Sequence, residues 1–335
     1  MNLLNTTADL KAHVSGVQLN MKSETVLAYF EQVDEKYIIP AIGEPMYAEL
    51  TGVPFAALSP ENQLLHHKLA RASAFYTILE ALPSLDSAIG DFGLVNHNTE
   101  NMSPVSKWRY QNRLQDSSKK GDYWLEQAMR FLETKQENYK TWILSPDFFV
   151  SNELLLRSAT ETTIYYPALQ SRRSVYQRIK PFVPICEQKY LKDEISAGLF
   201  AYLKGLIVVY VPPPLSAEDD RLLRYVRLYL AEMVMYEAHF SLFNELTETG
   251  FRSLFTNDAS SYQQDQAASE TQATAFRERS WNNAQSHRRE LRKYLDETAS
   301  DTLYPDYYNS SLYPVVGVRK TTEQRDNSNR NSFMM

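Results

Sequence analysis

Glycine and cysteine are both scarce in this chain of 335 residues. Only 10 glycines occur, well below the roughly 7% of an average protein, and phosphate-cradling loops and tight hairpins depend on glycine. Because glycine costs about 1 kcal/mol relative to alanine within a helix, its scarcity favours a helical chain. The sequence also lacks the ~20 consecutive apolar residues that span a bilayer. These absences indicate a globular, mainly helical fold.

The residue patterns of common catalytic and metal sites are missing as well. The single cysteine, Cys186, excludes an internal disulfide and aligns with an apolar position, so we expect a core residue. No histidine or cysteine cluster has the spacing of zinc ligands, and no Gly-x-Ser-x-Gly elbow occurs. Asp91-Phe92-Gly93 spells the metal-binding tripeptide of protein kinases, but the other kinase motifs are absent. We therefore expect no catalysis, no metal and no cofactor.

The charge and the aromatic content favour contacts with other proteins. A net charge of -6 argues against nucleic-acid binding by the molecule as a whole. Tyrosine occurs 22 times, and this residue is favoured at interfaces because its ring buries area while its hydroxyl keeps a hydrogen bond. Half-buried packing between helices explains many tyrosines equally well.

The second half of the chain repeats the first. An offset that carries Lys36-Tyr37-Ile38 onto Lys189-Tyr190-Leu191 also aligns the apolar residues around them without a gap. After a short insertion, Leu58-Ser59-Pro60-Glu61 aligns with Leu215-Ser216-Ala217-Glu218, and apolar residues with helical spacing follow in both copies. The serine of each segment occupies an N-cap position. The pattern predicts a tandem duplication rather than a chance match of two amphipathic helices.

The predicted fold class is mainly α, with two helical bundles in tandem, a small β element between them and extended termini. The units are an N-terminal arm, the first repeat, a β-like linker, the second repeat and a C-terminal tail, over residues 1–22, 23–142, 143–171, 172–297 and 298–335. The linker prediction depends on the β-branched and aromatic residues of Asp147–Val150 and Ile164–Pro167, which are typical of short strands.

Two aligned pairs of residues carry further predictions. Asp34 aligns with Glu187, and both follow the polar side of their helix, so we expect solvated surface acids. Gly93 aligns with Gly250, and we expect each to terminate a helix.

The last helix of the second repeat is rich in cations. They include Arg277, Arg288, Arg289, Arg292 and Lys293. Since acids are interspersed, we interpret this helix as a solvated face with internal salt bridges. The alternative is a docking face for an acidic partner or a nucleic-acid contact.

The segment Glu35-Lys36-Tyr37-Ile38-Ile39-Pro40-Ala41-Ile42-Gly43, which follows an arm and a helix, carries a resemblance. It resembles an uncharacterised family encoded by phages and prophages of Bacteroidetes bacteria, through the end of the second repeat. More distantly, each copy is similar to the helical head–tail connector (adaptor) proteins of tailed phages. Those proteins form a ring beneath the portal, usually of twelve copies. The duplication of this chain implies either twelve copies or six.

The resemblance implies a virion structural protein that forms a homo-oligomeric ring between the portal and the tail or a second ring protein. Packaged DNA would pass through the lumen without specific binding, and no membrane is involved. Such a protein acts in the neck or tail of the virion and assembles in the host cytoplasm. The alternatives are a tail-completion or minor tail ring protein, and a helical protein-binding module unrelated to virions.

The tail is the segment that we expect to bind a neighbouring subunit, by insertion of its aromatic and terminal side chains. These are Tyr304, Tyr307, Tyr308, Tyr313, Phe333 and Met334. Removal of residues 298–335 is then expected to leave both bundles folded.

Overall fold

Helices dominate the structure, and most elements of the first half of the chain recur in the same order in the second. A computed structural model describes residues 2–15, 26–85, 87–90, 93–96, 107–208, 215–247, 250–253 and 270–314. Helices α1 to α8 are Thr7–His13, Leu27–Val33, Ile39–Ile42, Glu44–Thr51, Pro60–Leu85, Lys107–Thr134, Lys140–Ile143 and Pro146–Asn152. Helices α9 to α16 are Ala159–Tyr165, Arg173–Ile179, Phe182–Cys186, Lys192–Ile195, Ala197–Val208, Ala217–Phe243, Glu270–Thr298 and Pro305–Tyr308.

Shorter elements complete each half. A π-helical turn lies at the same place in both copies, at Asp34–Ile38 and Glu187–Leu191. Short 3-10 turns are formed by Phe55–Ala57, Gln136–Asn138 and Pro167–Leu169.

A two-stranded antiparallel hairpin follows the long helices α5 and α14. The strands β1 to β4 are Ser87–Gly90, Gly93–Asn96, Asn244–Thr247 and Gly250–Ser253. In the register of these hairpins, Gly90 pairs with Gly93 and Thr247 pairs with Gly250. The prediction that Gly93 and Gly250 terminate helices is therefore wrong, because each begins the second strand of a hairpin.

The predicted β-like linker, residues 143–171, is helical, so this prediction is wrong. The Ser145 side chain caps α8 by accepting a hydrogen bond from the Phe148 amide at 3.2 Å. The Ser158 side chain caps α9 in the same way, by accepting a hydrogen bond from the Glu161 amide at 3.1 Å. These caps satisfy backbone N–H groups at the helix starts. Local capping thus outweighs the β propensity of the aromatic and β-branched residues.

The second copy of the repeat begins inside this segment, because α9 is equivalent to α1. The Thr6 hydroxyl caps α1 by accepting a hydrogen bond from the Asp9 amide at 3.2 Å. In return, the Asp9 carboxylate accepts the Thr6 amide at 2.9 Å, which completes a capping box. Ser158 and Glu161 occupy the matching places in α9. The repeat therefore includes an opening helix that the sequence alignment did not detect.

Each repeat has its own core of buried apolar side chains. Leu3 and Leu10 are 4% and 0% exposed in the first core, so residues 2–15 of the predicted arm belong to the first bundle. Burial of each leucine contributes about 1.5–3 kcal/mol. Cys186 is fully buried in the second core, which confirms the prediction for this residue.

Residues 298–314 of the predicted tail also belong to the second bundle. Tyr304 and Tyr307 are 4% and 0% exposed, and α16 packs against α13. Tyr139 and Trp142, both 3% exposed, hold the equivalent places in the first repeat, where α7 packs against α4. The prediction of an extended tail is wrong for this segment, which packs into the second core. The sequence alignment ended before it and missed the matching aromatic pair.

A chain ending at residue 298 should therefore be much less stable than one ending at residue 314. The shorter chain loses two buried tyrosines, and truncation of a buried aromatic side chain typically costs about 3–5 kcal/mol. Thermal denaturation followed by circular dichroism measures the difference. Equal unfolding temperatures would show that residues 299–314 add nothing to the second core.

Gly121 lies on α6 against the buried ring of Tyr76. A Cβ atom at this position would lie 2.6 Å from Cε1 of Tyr76. We expect Gly121→Ala to lower the free energy of unfolding by about 1–3 kcal/mol, because the added methyl group would have to displace a ring that is buried and stacked on Tyr37. At Gly205 of α13 a Cβ meets nothing within 4 Å, so Gly205→Ala should stabilise by about 1 kcal/mol. Urea denaturation measures both, and equal stability of the two variants would contradict this packing.

Candidate functional site

A buried carboxylate begins the π-helical turn of each repeat. Asp34 and Glu187 are 1% and 2% exposed, so the prediction of solvated surface acids is wrong. Asp34 accepts hydrogen bonds from the Leu3 amide at 3.1 Å, and from the hydroxyls of Tyr47 and Ser73 at 2.8 Å each. These bonds join the opening segment, α4 and α5 of the first repeat.

Glu187 makes the corresponding contacts in the second repeat. Its carboxylate accepts the Leu155 amide at 2.7 Å and the Lys204 ammonium at 2.6 Å. Burial raises the pKa of both Asp34 and Glu187 above the ordinary values, although the hydrogen bonds oppose this shift. The sequence prediction failed here because a strict helical period does not hold through a π-turn, which adds a residue to the helix. The alignment of the two acids was the signal that could have found them.

The lysine and tyrosine that follow each buried acid bind a glutamate of the long helix. Lys36 and Tyr37 bind the same oxygen of Glu80 on α5, at 2.8 Å and 2.5 Å. Lys189 and Tyr190 likewise bind Glu237 on α14. The two lysine side chains are 53% and 57% exposed, so these ion pairs contribute little stability. The tyrosine hydrogen bonds orient the π-turn on the long helix.

The two repeats meet where α6 of the first contacts α9 and α10 of the second. Asp122 of α6 accepts the Ser174 amide at 3.1 Å and the Ser174 hydroxyl at 2.6 Å. Glu126 accepts the amide and the hydroxyl of Thr160, both at 2.7 Å. The two acids are 1% and 2% exposed. Carboxylates of the first repeat thus cap the helices of the second.

Arginines of the second repeat face these acids. Nε of Arg172 lies 3.8 Å from Oδ2 of Asp122, and Nη1 of Arg173 lies 3.7 Å from Oε2 of Glu126. A cavity of about 210 Å³ adjoins this contact, between Met129 and Glu133 of α6 and residues of the second repeat. The residues that cover it from the second repeat are Arg157, Ser158, Glu161 and Arg173.

Glu133 is one of the titratable groups that line this cavity. Burial, and then the nearby Glu126, raise the pKa of Glu133 to about 7. The neighbouring Arg173 and Arg157 oppose this shift, and Glu161 adds to it. The carboxyl therefore stays protonated to a higher pH than an exposed glutamate does.

The basic residues predicted on the last helix are partly paired within the chain. Arg288 and Arg292 of α15 bind Glu194 at 2.8 Å and 2.9 Å. Lys293 lies 3.9 Å from Glu297, and the Arg277 guanidinium lies 4.7 Å from the centre of the Tyr236 ring. Arg289 is exposed. Arg288 and Arg292 are thus paired within the chain, with an acid of α12 rather than with the acids of their own helix, and Arg289 remains available to a partner.

The predicted tail residues fall into three groups. Tyr304 and Tyr307 are buried in the second core, so the prediction that they insert into a neighbouring subunit is wrong. Tyr308 and Tyr313 are half-buried, with ring centres 4.6 Å apart. Phe333 and Met334 lie outside the described residues.

Neither a metal site nor a membrane span is found in the part of the chain that the structure describes. Among those residues, no three His, Cys, Asp or Glu side chains are grouped so that they could hold a metal ion. None of the described helices is both long and apolar enough to cross a membrane. Burial raises the pKa of the Cys186 thiol to about 12, which keeps this thiol protonated.

The stability of the protein should fall as the pH rises through the titration of Glu133. A carboxyl whose pKa is higher in the folded state favours folding at low pH, and this contribution is lost between about 4.5 and about 7. In the wild type, this loss lowers the free energy of unfolding by up to about 3 kcal/mol, and we expect Glu133→Gln to abolish it. Urea denaturation across this pH window measures it, with the exposed Glu137→Gln as the control. Parallel curves for the wild type and Glu133→Gln would contradict the assignment.

The comparisons with known proteins agree with the duplication. The chain matches the model of a family of unknown function (DUF6712) over residues 28–148 and 170–315. The matched segments correspond to the two helical repeats, so the predicted tandem repeat is confirmed. No curated protein and no solved structure matches the chain. The chain therefore belongs to the family of unknown function DUF6712, whose unit it contains twice.

Proposed function

We propose that this protein is a virion structural protein of a tailed phage, which forms a ring between the portal and the tail. It would act as a head–tail connector without catalysis, in the neck or tail of the virion after assembly in the host cytoplasm. The observation that carries the proposal is the contact between the repeats, in which the opening helices of the second dock on the last long helix of the first.

This contact supports a ring because it joins two similar units head to tail. The face of α6 and the starts of α9 and α10 are different surfaces, so the contact is heterologous rather than two-fold symmetric. Heterologous contacts that repeat with a closing rotation generate rings. Polar bonds from Asp122 and Glu126 fix the direction of the contact, since carboxylates bind only the N-terminal ends of helices in this way.

The charge of the chain is compatible with a channel for DNA. A net charge of -6 disfavours tight binding to phosphates, so DNA could slide through a lumen without specific binding. The expected partners are further copies of the chain, the portal, and a tail or second ring protein. Because each chain has two repeats, six chains would present as many repeats as twelve chains of a single-repeat connector.

Two alternatives predict different partners. A tail-completion or minor tail ring protein would use the same contact between copies but would bind the tail rather than the portal. A helical binding module unrelated to virions would use the α6 contact only within one chain, and would stay monomeric.

Electron microscopy of the chain, co-expressed with the portal protein from the same genome, tests the proposal. We expect a ring stacked on the portal, because a head-to-tail contact that repeats from copy to copy generates a ring when its rotation closes. Its symmetry would distinguish six copies from twelve. The portal expressed alone is the control. Free portals beside rings of this chain would favour a tail-side role, and free portals beside monomers would favour the module unrelated to virions.

A further inference from the structure

The last long helix of each repeat has an equivalent face, which is covered in the first repeat and open in the second. Buried serines fix the alignment of the two helices, since Ser117 of α6 and Ser280 of α15 are 1% and 2% exposed. With that alignment, Arg289 lies where the first repeat has Glu126. Glu126 is 2% exposed beneath the second repeat, whereas Arg289 is exposed.

An open groove lies along α15 at the place that corresponds to the covered cavity. The groove has a volume of about 860 Å³. Arg292 and Asp296 line it, and they align with Met129 and Glu133, which line the cavity between the repeats. The groove on α15 therefore lies on the helix face that corresponds to the covered face of α6.

We propose that a second copy of this chain covers the groove, by placing its helix α1 on α15 as α9 lies on α6 within one chain. This inference rests on the self-assembly in the proposed function and names the surface that carries it. Successive repeats would then form a continuous series, in which contacts within and between chains alternate.

The equivalence of α1 and α9 identifies the occupant. Both helices follow a leucine whose amide binds the buried acid of its repeat, at Leu3 and Leu155. Both also have a Thr or Ser N-cap with an acid in the first turn. A second copy therefore presents the kind of segment that already covers the equivalent face.

The signs of charge are reversed between the two contacts, because α6 presents acids where α15 presents Arg289. Within the chain, the arginines of the second repeat meet the acids of α6. In the first repeat, Asn5 aligns with Arg157, so this cation is absent from the start of the segment that would meet the basic groove. Asp9 of α1 supplies a carboxylate near Arg289 instead. This reversal favours α9 on α6 and α1 on α15 over the opposite pairing, in which α1 would lie on α6 and α9 on α15.

A cross-linking experiment on the full chain tests the geometry. Ala8 and Thr160 are each the second residue of their helix, and Thr160 touches Glu126 at 2.7 Å. Ala8 of one copy should therefore lie beside Arg289 of the next. We expect the Ala8→Cys, Arg289→Cys variant, treated with a short thiol cross-linker, to yield covalent dimers and longer chains on a denaturing gel.

The control variant combines Arg289→Cys with Glu31→Cys, which places the second thiol on the exposed side of α2. The native Cys186 is fully buried, so wild type should give no product. As an independent measurement, Arg289→Glu should weaken self-association in sedimentation by about tenfold or more. Lys140→Glu, an exposed lysine on α7, should leave self-association unchanged.

The outcomes separate this inference from the proposed function. Oligomers in which the Ala8 and Arg289 pair reacts no more than the control pair would overturn the inference and leave the ring standing. A chain that stays monomeric at every accessible concentration, without cross-linking, would overturn both. Specific cross-linking without any complex with the portal would support the inference and remove the connector role.

Discussion

A buried carboxylate at the start of a π-helical turn organises each repeat. Asp34 and Glu187 accept backbone N–H groups from the opening segments, and side-chain hydrogen bonds from other helices. A buried charge without such partners would cost several kcal/mol. The opening segment, the turn and the helices must therefore assemble together. This requirement explains why both copies place an opening helix against the turn before the long helix pair begins.

The sequence predicts the parts of this fold that depend on local or periodic signals. The duplication and the long helices follow from apolar spacing, and the N-caps are confirmed because Ser59 and Ser216 accept amides at 3.2 Å and 3.0 Å. Segments in which local composition competes with tertiary packing were predicted wrongly. Residues 143–171 and 298–314 are rich in aromatic and β-branched side chains, which favour strands or extended structure in isolation. In the fold, Ile143 and Phe148 belong to the first core, and the later residues of these segments supply helices and core side chains of the second repeat.

The contact between the repeats had no signal in a single sequence. Asp122 and Ser174 are far apart in the chain, and neither residue belongs to a motif of recognised chemistry. Only the fold brings an acid of α6 to the start of α10. The basic character of α15 was visible from composition, but composition does not distinguish Arg292, which binds Glu194, from the exposed Arg289. The functional surface is therefore defined by which charges the fold leaves unpaired.

The separation of the two cores has a consequence for the order of folding during synthesis. All elements that close the first core, from Leu3 to Phe148, leave the ribosome before the second repeat is complete. The first bundle can then fold while the remainder is translated, with the acids of α6 still exposed to water. When residues 158–174 emerge, they meet a preformed acidic surface. The first repeat would thus act as a template that positions the opening helices of the second.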